Sequence, residues 1–242
     1  MNIQLLSDIH IEFGDRDPVS TDADLVILAG DIHTNGRAFD WIRRHFPNQR
    51  VIYIAGNHEF YGEHLERMLD ELRAQSDDHV RFMDQDELLI DGVRILAGTG
   101  WTDFRSTGNQ VLAMWEAQAM NDYKKIRTGT NFRKLKPMDV AARSAAFRSW
   151  LKAKLEQPFD GGKTVVVTHH APLLLPSHSS GSHLDASFSN SWVDLVEQAD
   201  LWLYGHTHLA ADFTIGRCRL VSNPVGYPGE DTGFVCFQHI EI

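Results

Sequence analysis

The amino-acid sequence predicts an α/β fold. Short apolar runs of strand length alternate with longer segments in which apolar residues recur at helical spacing. Five of the apolar runs are followed closely by Asp, Asn or His, which are candidate ligands. Open α/β sheets bind their ligands beyond the carboxyl ends of their strands, so this pattern also predicts where a functional site lies.

The first part of the chain shows the most regular alternation. Strands are predicted over residues 3–6, 24–29 and 51–55, and helices over residues 37–46 and around 65–72. The second helix is amphipathic, because its apolar residues follow the i, i+3, i+4, i+7 spacing of one helix face: Leu65, Met68, Leu69 and Leu72. Strands that alternate with helices favour parallel pairing through right-handed crossovers.

The remainder of the chain is less regular. A short strand is expected over residues 80–83, and Asp91-Gly92 between two apolar runs predicts a β-hairpin. Periodicity is poor from about 102 to 140. Beyond it the pattern predicts a helix near 141–156, strands at 164–168 and 201–204, and a β-rich C-terminal part. We interpret residues 1–242 as a single domain with an insertion near 102–140.

Candidate metal ligands gather at the predicted strand ends. They are Asp8 and His10, Asp31, Asn57 and His58, His169, and His206 and His208. Carboxylate and imidazole together suit manganese, iron and zinc. In Asp8-x-His10 and His206-x-His208 the spacing places both side chains on one side of an extended segment, so that both can reach one site. Because the set is larger than one ion takes, we expect two ions about 3.5–4 Å apart, bridged by one carboxylate.

Taken in order, these motifs resemble the calcineurin-like metallophosphoesterases. The matching stretches span nearly the whole chain and are Asp8-x-His10, Gly30-Asp31, Gly56-Asn57-His58-Glu59, His169 and Gly205-His206-x-His208. The resemblance implies two packed mixed β-sheets flanked by helices, with two divalent metal ions (manganese, iron or zinc) at the sheet ends. It also implies hydrolysis of a phosphodiester or phosphomonoester by a hydroxide that bridges the two ions.

The resemblance implies a role for each matching residue. One ion is bound by Asp8, His10 and His208. The other is bound by Asn57, His169 and His206, and Asp31 bridges the two. His58 is the expected catalytic residue, because it faces the phosphate of the substrate and can protonate the leaving oxygen without being a ligand. Glu59 is a candidate partner that orients His58, and a glutamate at a helix N-terminus without such a role is the alternative.

Composition narrows the expected partners and location. The net charge of −10 argues against broad attraction to nucleic acid, so a small phosphoester or nucleotide-like substrate is favoured. No apolar run approaches the ~20 residues of a membrane span, and we expect no membrane partner. The chain enters a strand at once, without a signal-peptide core, and holds two cysteines, so a cytoplasmic location is expected.

The insertion opens a strongly basic stretch. Residues 124–154 contain ten Lys and Arg and one acid, a net charge of +9 in a chain of −10. We expect the insertion to lie beside the metal site and its basic residues to hold an anionic substrate, the candidates being Lys124, Lys125, Arg127, Arg133 and Lys134. A solvated basic helix face is the simpler alternative. The aromatic residues of this region could stack on a nucleobase or pack against the body of the domain; they are Trp101, Phe104, Trp115, Tyr123 and Phe132.

Two other classes of protein compete with this interpretation. The metallo-β-lactamase type also binds two metals, but it requires a His-x-His-x-Asp-His run that this chain lacks. A catalytically inactive metal- or phosphate-binding module of the same fold would be expected to lack a ligand or His58, and every one of these positions is filled. The sequence therefore favours a phosphoester-hydrolysing enzyme.

Overall fold

A computed structural model describes residues 1–16 and 22–242, the side chain of His178 excepted. Its strands are β1 Asn2–Leu6, β2 Leu25–Ala29, β3 Arg50–Ile54, β4 Val80–Phe82, β5 Asp86–Ile90, β6 Val93–Gly98, β7 Arg127–Thr128, β8 Arg133–Lys134, β9 Lys163–Thr168, β10 Leu201–Tyr204, β11 Ala211–Ile215, β12 Cys218–Ser222 and β13 Ile240–Glu241. Its helices are α1 Ala38–His45, α2 Leu65–Gln75, α3 Gln110–Ala117, α4 Asp122–Lys125, α5 Pro137–Leu155 and α6 Val193–Val196. None of these helices combines the length and apolarity needed to cross a membrane.

Two mixed β-sheets form the centre of the molecule. The first has the strand order β13-β1-β2-β3-β4, in which β13 is antiparallel to β1 and the other neighbours are parallel. The second has the order β11-β12-β10-β9-β6-β5, with parallel central pairs and antiparallel pairs at both edges. The predicted fold of two packed mixed sheets flanked by helices is therefore confirmed.

Alternate residues of each strand point to opposite faces of its sheet, so apolar strands give each sheet two apolar faces. One face of each sheet packs against the other sheet. Leu5 and Ile27 of the first sheet and Ile95 and Val167 of the second belong to one buried cluster between the sheets. The opposite face of the first sheet is covered by a cluster that includes apolar residues of α1 and α2. The opposite face of the second sheet is covered by residues of α5 and α6. Strands buried on both faces explain the continuous apolar runs in the sequence.

The predicted elements agree with the structure to within a few residues, with one informative difference. The helix expected near 141–156 begins earlier, at Pro137. Pro is favoured in the first helical turn, and the Asp139 carboxylate accepts a hydrogen bond from the Lys136 backbone N–H at 2.9 Å. The hairpin predicted at Asp91-Gly92 joins β5 to β6, and both turn residues have the positive φ that a tight hairpin turn requires.

The segment over 102–140 is irregular because its elements are short. It holds α3, α4, the β7–β8 hairpin and the start of α5. Two backbone hydrogen bonds attach it to the loop that follows β3: Gly62 N–H donates to Lys125 O at 3.2 Å, and Arg127 N–H donates to Glu63 O at 2.9 Å. That loop carries Asn57 and His58, so part of this segment lies next to the predicted site.

Candidate metal centre

The candidate ligands converge at one edge of the two sheets. Asp8 and His10 follow β1, Asp31 follows β2 and Asn57 follows β3, whereas His169 follows β9 and His206 and His208 follow β10. All are buried except His208, which is partly buried. Three groups of side chains lie close enough to share an ion, with ligand atoms within 4.8 Å of one another: Asp8–His10–His208, His10–Asp31–His58 and Asp31–His169–His206. Asn57 Oδ1 adds an oxygen 3.2 Å from His169 Nε2.

The backbone around these residues is not extended, which corrects one prediction. Asp8 and His10 both have φ of 52°, and His206 and His208 have φ of 69° and 52°. The left-handed conformation costs a non-glycine residue about 1–3 kcal/mol, and such residues cluster where function requires them. The chain turns sharply as it leaves each strand, and this turn directs the side chains across the sheet edge toward one another.

Two motif glycines are required by close packing at the site. A Cβ on Gly56 would lie 2.1 Å from Asp31 Oδ1, and a Cβ on Gly205 would lie 2.6 Å from Asp8 Oδ2. Both distances are well below a van der Waals contact. The space beside each carboxylate therefore exists only because the neighbouring residue has no side chain.

Three of the imidazoles present Nε2 to the centre of the site while Nδ1 is held from outside. His169 Nδ1 donates to Ala29 O at 2.8 Å, His208 Nδ1 to Glu230 Oε2 at 2.7 Å, and His10 Nδ1 to Glu12 Oε1 at 3.2 Å. A hydrogen bond of this kind fixes the ring and its tautomer, leaving Nε2 free to accept a cation. The Nε2 atom of His206 is buried without a hydrogen-bond partner among the described residues.

Asp31 lies between the imidazoles. Its Oδ1 accepts a hydrogen bond from the His58 backbone N–H at 2.8 Å. Its Oδ2 faces Nε2 of His169 at 3.4 Å, of His10 at 3.9 Å and of His58 at 4.0 Å. The two longer separations exceed hydrogen-bonding distance. Separations of this size suit donor atoms arranged around a shared cation.

Asp31 and His169 stabilise each other's charged forms. Burial by itself would raise the pKa of Asp31, but the charges of His169 and His58 outweigh it and hold this pKa well below its ordinary value. Burial would likewise lower the pKa of His169, but Asp31 and Asp8 raise it to about 10. The carboxylates that raise the pKa of His169 would also favour a metal cation beside its ring.

His58 is oriented by Glu12 and not by Glu59, which corrects a second prediction. Glu12 Oε1 lies 2.7 Å from His58 Nδ1, and Tyr227 Oη lies 3.2 Å from His58 Nε2. Burial would lower the pKa of His58, but the charge of Asp31 and the hydrogen bond to Glu12 raise it. Glu12 lies two residues after His10, in the short helical turn Ile11–Phe13. Its closeness to His10 in the sequence is the feature that could have identified it as a residue of the site.

Glu59 instead accepts hydrogen bonds from the backbone of the loops that carry the candidate ligands. Its Oε2 accepts hydrogen bonds from the backbone N–H groups of Asp31 and Gly56 at 3.0 and 2.7 Å. Its Oε1 accepts from Ile32 N–H at 2.8 Å and from Tyr53 Oη at 2.9 Å. Glu59 therefore holds together the two loops that carry Asp31 and Asn57. Burial and the charge of Asp31 raise its pKa to about 7 against the effect of these hydrogen bonds.

Two cavities meet at His58. The histidine cleft, of about 380 Å³, is lined by Asp31, Asn57, His58, His206, His208 and Tyr227 among others. The basic cavity, of about 830 Å³, is lined by Glu12, Phe13, Lys124, Lys125 and Arg127 among others, and shares His58, Tyr61, Asn121 and Tyr227 with the cleft. Of the basic residues predicted to lie near the site, Lys124, Lys125 and Arg127 therefore lie beside it. Arg133 instead forms a paired hydrogen bond with Asp139 at 2.6 and 2.7 Å.

The expected aromatic stacking residues are placed differently. Trp101, Phe104 and Tyr123 are buried in the hydrophobic core, so their rings are not available to a substrate. Phe132 is exposed, with the guanidinium carbon of Arg67 4.4 Å from its ring centroid, but it is not among the residues that line either cavity. Trp115 is exposed but lines neither cavity. The aromatic walls of the basic cavity come from other parts of the chain.

The fold and the site place this chain among the metallophosphoesterases. The family model described as calcineurin-like phosphoesterase matches residues 1–210, and the chain belongs to that family. Among solved structures, a phosphopantetheinyl hydrolase from Mycobacterium tuberculosis superposes with a TM-score of 0.66 at 19% identity, over 94% of this chain and 90% of that one.

Two further proteins are similar over most of their length. A dimetal phosphatase from Danio rerio has a TM-score of 0.55 at 12% identity, over 91% of this chain and 86% of that one. Protein L509 of Acanthamoeba polyphaga mimivirus is 24% identical, over 99% of this chain and 96% of the viral protein. The similarity to the viral protein extends across nearly the whole chain.

Proposed function

We propose that this protein is a metal-dependent phosphoester hydrolase that binds two divalent ions. The observation that carries the proposal is the arrangement of imidazole Nε2 atoms around Asp31, with Nδ1 of His10, His169 and His208 tied outward. The buried, unpartnered Nε2 of His206 fits the same set. Mixed nitrogen and oxygen donors suit manganese, iron or zinc.

The donors divide into two sets around Asp31. We assign one ion to Asp8, His10 and His208, whose donor atoms form one cluster. We assign the other to Asn57, His169 and His206, and Asp31 is shared. His58 also lies within reach of Asp31, so its assignment as a non-ligand rests on its other contacts with Glu12 and Tyr227.

Bound divalent ions would neutralise phosphate charge and lower the pKa of water. The protein supplies the remaining parts of the reaction. His58 lies at the boundary of the two cavities, where it can donate a proton to the oxygen of a leaving group. Glu12 contacts Nδ1 of the ring and stabilises its protonated form, so that Nε2, which contacts Tyr227 Oη, would carry the proton for the leaving oxygen.

A small phosphoester, including a nucleotide-like one, suits the dimensions of the site. Cavities of about 300–1,000 Å³ are typical for small-molecule ligands. The proposal covers monoesters and diesters, since both present a phosphoryl group and a leaving oxygen to the same residues.

A direct test compares 4-nitrophenyl phosphate with bis(4-nitrophenyl) phosphate as substrates. Metal-depleted protein should be inactive, and added Mn²⁺, Fe²⁺ or Zn²⁺ should restore turnover of at least one of the two esters. Bound metal measured by elemental analysis should approach two ions per chain. Metal-loaded protein without turnover on either ester would instead support an inactive binding module.

A further inference from the structure

The basic cavity has no role in the function proposed so far. Its position relative to His58 is informative, because His58, Tyr61 and Tyr227 form a boundary between it and the histidine cleft. The rings of His58 and Tyr61 lie 4.2 Å apart, and Tyr227 Oη contacts His58 Nε2. A phosphoryl group held by the ligands would lie in the cleft. Its leaving oxygen would have to reach His58, so the rest of the leaving group would extend toward the basic cavity.

One wall of this cavity carries three cations. Lys124 and Lys125 are exposed and Arg127 is half-buried. Their backbone is fixed by α4 and by the hydrogen bond from Arg127 N–H to Glu63 O. Lys125 Nζ lies 4.8 Å from the centroid of Tyr61, which places its charge directly beside the His58 boundary.

These cations are not neutralised by carboxylates. Over residues 1–16 and 22–242, no ion pair joins Lys124, Lys125 or Arg127 to an acid. Lys124 Nζ and Arg127 Nη1 contact backbone carbonyls of the same segment. Among the described residues that line the cavity the acid is Glu12, whose Oε1 contacts Nδ1 of His10 and Nδ1 of His58. In a chain of net charge −10, three uncompensated cations on one wall favour an anionic ligand.

Aromatic rings also line the cavity. Phe13 and Tyr227 pack edge to face with centroids 5.4 Å apart, and both rings are partly exposed. Such a surface suits an apolar or planar portion of a ligand. The lining of the cavity therefore combines a proton donor, His58, with apolar ring surface and a cluster of positive charge.

We propose that the basic cavity binds the leaving group of the substrate, and that this leaving group ends in a second phosphate. The proposal rests on the hydrolase function proposed above and narrows its substrate class to small phosphoesters that carry a further phosphate beyond the scissile bond. A phosphate dianion can accept charge-assisted hydrogen bonds from two lysines and a guanidinium at once.

The test uses straight-chain diol bisphosphates of increasing length, each compared with the matching diol monophosphate. Both have a poor alkoxide leaving group and differ only in the distal phosphate. At the best length, kcat/KM for the bisphosphate should exceed that for the monophosphate by about tenfold or more, mainly through KM. This preference should weaken as ionic strength rises.

The decisive variant replaces all three cations: Lys124→Gln, Lys125→Gln and Arg127→Gln. The ratio of the two kcat/KM values should then fall to near one. A charge-matched control carries Lys134→Gln, Lys152→Gln and Lys163→Gln, three residues outside the cavity. The control should keep the preference, which separates a local subsite from general attraction of anions.

Failure of the subsite and failure of the proposed function give different results. Turnover of 4-nitrophenyl phosphate without a bisphosphate preference at any length, or equal loss of the preference in both triple variants, would overturn the subsite alone. If no ester is turned over, the hydrolase proposal fails. Calorimetric titration of the bisphosphates into wild-type protein and both triple variants then tests the subsite on its own. The subsite is supported if wild type and the control variant bind the bisphosphate and the Lys124, Lys125 and Arg127 variant does not. Any other result overturns it.

Discussion

The side-chain amide of Asn57 donates a hydrogen bond of 2.9 Å to Asp122 Oδ1. Tyr61 Oη donates to the same oxygen at 2.6 Å and accepts a further bond from Asn57 Nδ2 at 3.2 Å. These three buried groups fix the orientation of the amide, so that Asn57 Oδ1 points toward His169 Nε2. A residue of the irregular 102–140 segment therefore positions a candidate ligand.

Replacing Asp122 should weaken metal binding. Asp122→Leu leaves the Asn57 amide and the Tyr61 hydroxyl without their acceptor, and loss of a group that orients a ligand typically costs about 10–100-fold in metal affinity. Asp122→Asn should be much milder, because one side-chain oxygen can still accept both bonds. Metal titration monitored by calorimetry measures the difference. Wild-type affinity in Asp122→Leu would show that the amide is held without this contact.

The strands and the candidate ligands were predictable because their signals are local. An apolar run followed by Asp-x-His or Asn-His is visible within ten residues, and parallel strands bring such ends to one edge. The structure does bring Asp8, Asp31, His169 and His208 together at that edge. Their assignment to particular metal ions stays a prediction.

The groups that support the site could not be predicted in the same way. Asp122 and Tyr227 reach Asn57 and His58 from 65 and 169 residues away, and no periodic pattern encodes such contacts. Glu59 shows that closeness in the sequence can also mislead. It adjoins His58 in the sequence, yet the turn of the chain directs its carboxylate to backbone N–H groups on the other side.

Metal should stabilise the fold, and the effect should depend on Asp31. Binding at 100 times the dissociation constant adds about 2.7 kcal/mol to the free energy of unfolding for one site. Thermal unfolding with and without Mn²⁺ should therefore show a higher Tm with the ion for wild-type protein and little change for Asp31→Asn. His33→Gln is the control, because His33 lies two residues further along and belongs to none of the three clusters. An equal rise in Tm for Asp31→Asn would argue against a shared carboxylate.

Replacing His58 should separate catalysis from metal binding. His58→Ala should retain two ions and lose about 10²–10⁴ in kcat, the usual contribution of a positioned general acid. The loss should be smaller for 4-nitrophenyl phosphate than for an alkyl phosphate, since a good leaving group needs little protonation. Elemental analysis beside the kinetics is the necessary check. If metal content falls in step with activity, His58 is a ligand and the assignment made here is wrong.

Glu59→Gln should destabilise the protein more than Tyr53→Phe does. Each carboxylate oxygen of Glu59 accepts two hydrogen bonds, and at least one of the two comes from a backbone N–H. Whichever way a glutamine amide is oriented, its NH₂ group therefore faces a backbone N–H. A buried N–H left without an acceptor costs about 1–3 kcal/mol, whereas Tyr53→Phe removes one donor and leaves every backbone group paired. Denaturant unfolding of the two variants in the presence of metal measures the difference. Equal stability of Glu59→Gln and wild type would mean that these loops are held by the metal ligands and not by Glu59.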